Sequence, residues 1–185
     1  MIMLDIIAIA EKVMAIKEQW KDCNIWEILD RLGVIYDFAD FGSAHEGLKG
    51  YCTSFFNQFF MAISIAFPEY LQELLAWHEL GHIILSPELL QNGNFLCDSN
   101  LSLAVDRAEL AANYFAAEAM IEDDDLIPLI KSGNTVQSAA AILKVPSAFV
   151  SLKCEILIEY GYKLRIQEMP DSHCLGEDIL GLENF

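Results

Sequence analysis

The amino-acid sequence predicts an α+β fold that is mainly helical, and three observations carry that expectation. Apolar residues recur at helical spacing through most of the chain. One uncharged stretch, Gly50 to Pro68, is instead rich in aromatic and β-branched residues, as paired strands are. Between helical stretches, Trp77-His78-Glu79-Leu80-Gly81-His82 sets two of only four histidines four positions apart in an apolar segment. The expected architecture is a small antiparallel sheet and one histidine-bearing helix, followed by a small helical segment of helix-turn-helix layout.

The 185 residues suffice for one domain with a buried core, and at 54% hydrophobic the chain reads as globular. A net charge of −17 excludes a DNA- or phospholipid-binding surface spread over the whole protein. The five cysteines are scattered and contain no CxxC pair, which reads as reduced thiols in a cytoplasmic protein. The apolar start lacks a positively charged region and is interrupted by Asp5 and Glu11, so no signal peptide is expected. Thr53, Ser54, Asn57, Gln58 and Ser64 break the uncharged stretch too often for a membrane span.

In chain order, Asp5 to Trp20 repeats apolar positions at helical spacing (Ile6, Ile9, Ala10, Val13, Ile16, Trp20) with charges on the other face. Asn24 is a suitable N-cap for a helix from Ile25 to Leu32, which Gly33 stops. Val34 to Phe38 reads as a strand, and the glycine-rich stretch from Gly42 to Gly50, which holds His45, as a loop. Tyr51–Phe56 and Phe59–Ile65 form a hairpin about Asn57-Gln58, with Met61, Ile63 and Ile65 on one face. Pro68 and Glu69 open the histidine-bearing helix, and Pro87 ends it. After a loop, a second long helix runs from about Leu103 to Ile121, and Asp123-Asp124-Asp125 reads as a solvated acidic break before Pro128. Thr135 to Gly161 reads as two or three short helices. Ser147, Ser151 and Lys153 supply no arginine or amide for base edges, so this segment reads as a packing module, with no direct nucleic-acid contact.

The chemistry follows from spacing. On a helix, residues four apart share a face with Cβ atoms about 5–6 Å apart. His78 and His82 can therefore reach one metal ion at roughly 2.0–2.1 Å. Glu79, one position along, can take a proton from a water without being a ligand. This is the pattern of a zinc hydrolase with a glutamate base, and a strand leading into such a helix is the context a zincin site needs. A catalytic zinc site has a third protein ligand and an open position. His45, His173, the cysteines and downstream acids are candidates. Glu109 is the best of them, on a helix otherwise nearly all small or apolar. Asn113 lies four residues further on the same face, where it could accept the outer N–H of a ligating histidine. Tyr51, Tyr114 and His45 remain open as oxyanion donors. His173-Cys174 is a soft donor pair in an acidic stretch that reads as a loose tail.

These stretches resemble the ImmA/IrrE family of metallopeptidases. The resemblance rests on Gly47-Leu48-Lys49-Gly50-Tyr51, on His78-Glu79-Leu80-Gly81-His82, and on Glu109 with Ala112-Asn113-Tyr114-Phe115-Ala116-Ala117-Glu118. It covers roughly Asn24 to Tyr162. It implies a gluzincin-like zinc site of His78, His82 and Glu109, with Glu79 as base, in a minimal zincin-like domain. It also implies an endopeptidase whose substrate is a helix-turn-helix repressor of a phage, a mobile element or a stress response. One departure is Ala119-Met120-Ile121-Glu122, where the family commonly carries a Leu-Leu-Met-Pro-like run, so the end of that helix is open. The expected organisation is a peptidase domain over 1–126, a helix-turn-helix-like subdomain packed on it over 127–166, and an acidic tail over 167–185. The rival expectation is a non-catalytic zinc-fold sensor that regulates a transcription factor by contact.

Overall fold

The computed structural model describes residues 4–42, 49–93 and 103–166 of the chain. His45, His173 and Cys174 lie outside the described residues.

Helix α1 (Ile6–Gln19) starts where the Asp5 carboxylate accepts the Ala8 N–H, and it buries Ile9, Ala10 and Val13. Helix α2 (Ile25–Leu32) has a full capping box. Asn24 accepts from the Glu27 N–H, Glu27 accepts from the Asn24 N–H, and Gly33 closes the helix at φ 71°. Both helices fall where the sequence places them.

Strands β1 (Ile35–Ala39), β2 (Gly50–Phe55) and β3 (Gln58–Ser64) form one sheet in the order β1-β3-β2. The β2–β3 hairpin is antiparallel as expected, but β1 joins β3 in parallel, so the sheet is mixed. The aromatic residues of β1 explain its docking: Tyr36 and Phe38 pack on Trp26 of α2 with ring centroids 5.3 and 5.0 Å apart. The hairpin turns at Phe56-Asn57, one residue earlier than expected. Both have positive φ (49° and 61°), the conformation whose twist matches the flanking strands. Gln58 instead belongs to β3, its amide donating to the Gly33 carbonyl. Met61 and Ile63 are buried, while Ile65 lies beyond the strand and is exposed.

Helix α3 (Glu69–Leu85) follows Pro68, which stands at the N-cap, and it is buried along most of its length. A 3-10 helix (Pro87–Gly93) occupies the start of the expected loop. Helix α4 (Leu103–Met120) packs along α3 through a close contact. A Cβ built on Gly81 would lie 3.0 Å from Ala112 Cα and 3.2 Å from Phe115 Cβ, so only glycine lets the two backbones approach this closely. Lys17 of α1 donates to the Ala119 carbonyl at 3.0 Å and pairs with Glu122, satisfying the end of α4 that the sequence left open.

The acidic triplet is solvated, with Asp124 and Asp125 exposed, but it is not a break. Asp123 to Asp125 form the first turn of α5 (Asp123–Lys131), where negative charge complements the helix dipole, and Pro128 is accommodated inside that helix. Helices α6 (Val136–Leu143) and α7 (Ser147–Glu159) meet at Val145-Pro146, so Thr135 to Gly161 holds two helices. Lys153 is 2% exposed and bonds Glu118 of α4 at 2.7 Å and Asp123 of α5 at 2.6 Å, and Ser151 is buried too. Both side chains are turned into the protein. Buried residues of α6 and α7 belong to the same apolar cluster as those of α1 to α4. Among the described residues, no helix is long and apolar enough to cross a membrane.

Candidate metal centre

The packing of α3 against α4 sets the centre. His78 and His82 lie one turn apart on α3, and the Gly81–Ala112 approach brings the α4 residue Glu109 against both. His78 Nε2 and His82 Nε2 are 3.1 Å apart, and each lies 3.3 Å from a different Glu109 oxygen. For a tetrahedral zinc ion with ligands at roughly 2.0–2.1 Å, the ligand atoms lie about 3.3 Å from one another. Two imidazole nitrogens and a carboxylate are also a donor set that zinc takes. The residues fit the ion. Among the described residues, these three form the one group of histidine, cysteine and acidic side chains close enough to share a metal.

The electrostatics follow from crowding acids and imidazoles in a closed place. Burial favours neutral Glu109, but hydrogen bonds and charge from His78 and His82 outweigh it and hold its carboxyl well below the usual range. Burial pushes the His78 imidazole down. The Glu109 hydrogen bond and the Glu79 and Glu109 charges outweigh it, so His78 keeps its proton more tightly than a free histidine. Glu79 is 5% exposed, and burial raises its carboxyl, partly offset by His78 and His82.

Asn113 is buried beside this group, and its amide contributes to holding the His78 proton. Its Oδ1 nevertheless has no partner of full hydrogen-bond geometry, so the contact is proximity rather than an aligned bond. His82 Nδ1 is likewise unpartnered. These are the two orphaned buried side-chain polar atoms among the described residues, and both fall at this centre. Such clustering marks a functional site more than a core defect.

Neither tyrosine candidate faces the centre. The Tyr114 hydroxyl donates to Glu155 on α7. On β2, Gly50 and Cys52 face Glu79, so strand alternation turns Tyr51 to the opposite face, where it lines a groove with Asp37 and Ala62. The sequence did not single out Cys52, whose thiol donates to the Glu79 carbonyl at 3.5 Å. The alternation along β2 was the available signal, but it needed the register of β2 beside α3.

A sequence model of the IrrE N-terminal-like domain, a peptidase family, matches residues 18–155. The chain belongs to the IrrE N-terminal-like domain family. The matched span runs from the end of α1 into α7 and contains His78, Glu79, His82, Glu109 and Asn113. The IrrE-like match thus supports a metallopeptidase-type fold for the helices and strands that bring these residues together. No curated protein and no solved structure matches the chain.

Proposed function

We propose that this IrrE-like protein is a cytoplasmic, zinc-dependent endopeptidase that hydrolyses a peptide bond in a helix-turn-helix transcriptional repressor. The observation that carries the proposal is the spacing of His78 Nε2, His82 Nε2 and the Glu109 carboxylate, with the buried Glu79 on the same helix beside them. His78, His82 and Glu109 would hold the ion. An ion held there would supply Lewis acidity, toward a water and toward the scissile carbonyl. Glu79 takes the proton of the attacking water on its carboxylate and passes it to the departing amine. Its burial raises the carboxyl toward neutrality, which suits both accepting and returning a proton.

Support for a repressor comes from the family resemblance, and a chain of net charge −17 tolerates a basic partner. The protein itself is not read as a DNA reader, since Lys153 and Ser151 are turned into the core.

The test is incubation of candidate repressors with wild-type protein and with Glu79→Gln at matched zinc content. Loss of cleavage in the variant, by about 10²-fold or more, supports the reading. Equal depletion by both forms, or binding without cleavage by either, would indicate a regulator acting by contact.

A further inference from the structure

Gly50 is the first residue of β2, and a strand does not itself call for glycine. Its φ is not in the left-handed region, so conformation does not require it. Space does. A Cβ at residue 50 would lie 3.2 Å from the Ala62 carbonyl oxygen, 3.2 Å from Glu79 Oε1 and 3.3 Å from Ile63 Cδ1. Ala62 belongs to the β2–β3 ladder and Ile63 is fully buried, so neither can yield readily. The Glu79 carboxylate is the end of a flexible side chain and would be the group that moves. Two residues along the same face, the Cys52 thiol donates to the Glu79 backbone carbonyl at 3.5 Å. Strand β2 thus meets Glu79 twice: the Cys52 thiol bonds its main chain, and Gly50 leaves room for its carboxylate.

We infer that Gly50 is a positioning residue for the proton-transferring carboxylate of Glu79, its missing side chain leaving the space in which that carboxylate is held. This rests on the peptidase reading for its consequence but not for its geometry. Gly81 serves a different end, since its neighbours are Ala112 and Phe115 rather than a reactive group.

The first test needs no activity. Gly50→Ala, Glu79→Ala and the double variant are melted beside the wild type, and zinc content is measured for each. Gly50→Ala should lower the melting temperature by about 2–4 °C, and most of that loss should disappear in the Glu79→Ala background. A chain that folds as the double variant but not as Gly50→Ala alone says the same more strongly. An equal loss in both backgrounds, or a failure to fold in both, places the clash at Ala62 and Ile63 and overturns the inference. In a cleavage assay, Gly50→Ala should lower kcat about tenfold, with KM and zinc content kept. In Glu79→Asp, whose side chain is one methylene shorter, the same substitution should cost less. If the wild type cleaves no repressor, the peptidase reading fails while the melting comparison still decides the contact.

Discussion

At the scale of single residues, the centre depends on a proton balance that zinc must overcome. Metal ligands bind in their deprotonated forms. In the metal-free protein Glu109 is readily ionised, whereas His78 holds its proton to a higher pH than the ordinary 6.5. The sign is therefore fixed. Zinc affinity is full above the His78 pKa and falls as pH is lowered through it, a decline that begins above 6.5. Competition with a coloured chelator across pH 5–8 should show it, and a flat profile would contradict it. Gly81 tests the same centre from the backbone. Gly81→Ala would press on Ala112 Cα, part α3 from α4, cost about 1–3 kcal/mol of stability and weaken zinc retention. Of these residues the sequence made His78, Glu79 and His82 legible through one helical turn. Glu109 was legible only because a polar residue stood on an otherwise packed helix. Gly50 and Cys52 were not, because their relation to Glu79 depends on a strand reaching across to another element.

Among the elements, the helices were the most legible, since caps and periodicity are local. Asn24, Glu27 and Gly33 bound α2 by contacts within a few residues. The sheet was less so. Strand β1 packs on Trp26 and pairs in parallel with β3, across intervening chain that no local pattern spans. The role of Asp123 was hidden for the same reason, since its partner is Lys153 on α7. That lysine ties α7 to α4 and α5 from a buried position, and removing one partner of a buried pair strands the others. Lys153→Ala should cost about 3–5 kcal/mol, and denaturant melts should report it. A loss below 1 kcal/mol would mean the pair is dispensable. Thiol chemistry follows the same packing: Cys52 and Cys154 are buried, and burial pushes the Cys154 thiol up to about 11. Iodoacetamide at pH 8 should modify half-buried Cys23 before either of them.

Over the whole molecule, one apolar cluster runs from α1 to α7, and the family match spans most of it. Helix α7, with α6 packed on it, therefore completes the packing of α4, which carries Glu109 on one side and bonds Lys153 through Glu118 on the other. A chain ended after residue 132 should lose its cooperative thermal transition and its zinc together, as followed by calorimetry and metal analysis. An intact transition would show that α6 and α7 are dispensable. Everything proposed for the chemistry rests on one ion held jointly by α3 and α4. Elemental analysis of purified protein tests that directly, comparing the wild type with His78→Ala, His82→Ala and Glu109→Gln. The arrangement predicts one zinc per wild-type chain, loss of zinc from either histidine variant, and weakened retention in Glu109→Gln. Undiminished zinc in the variants would contradict it.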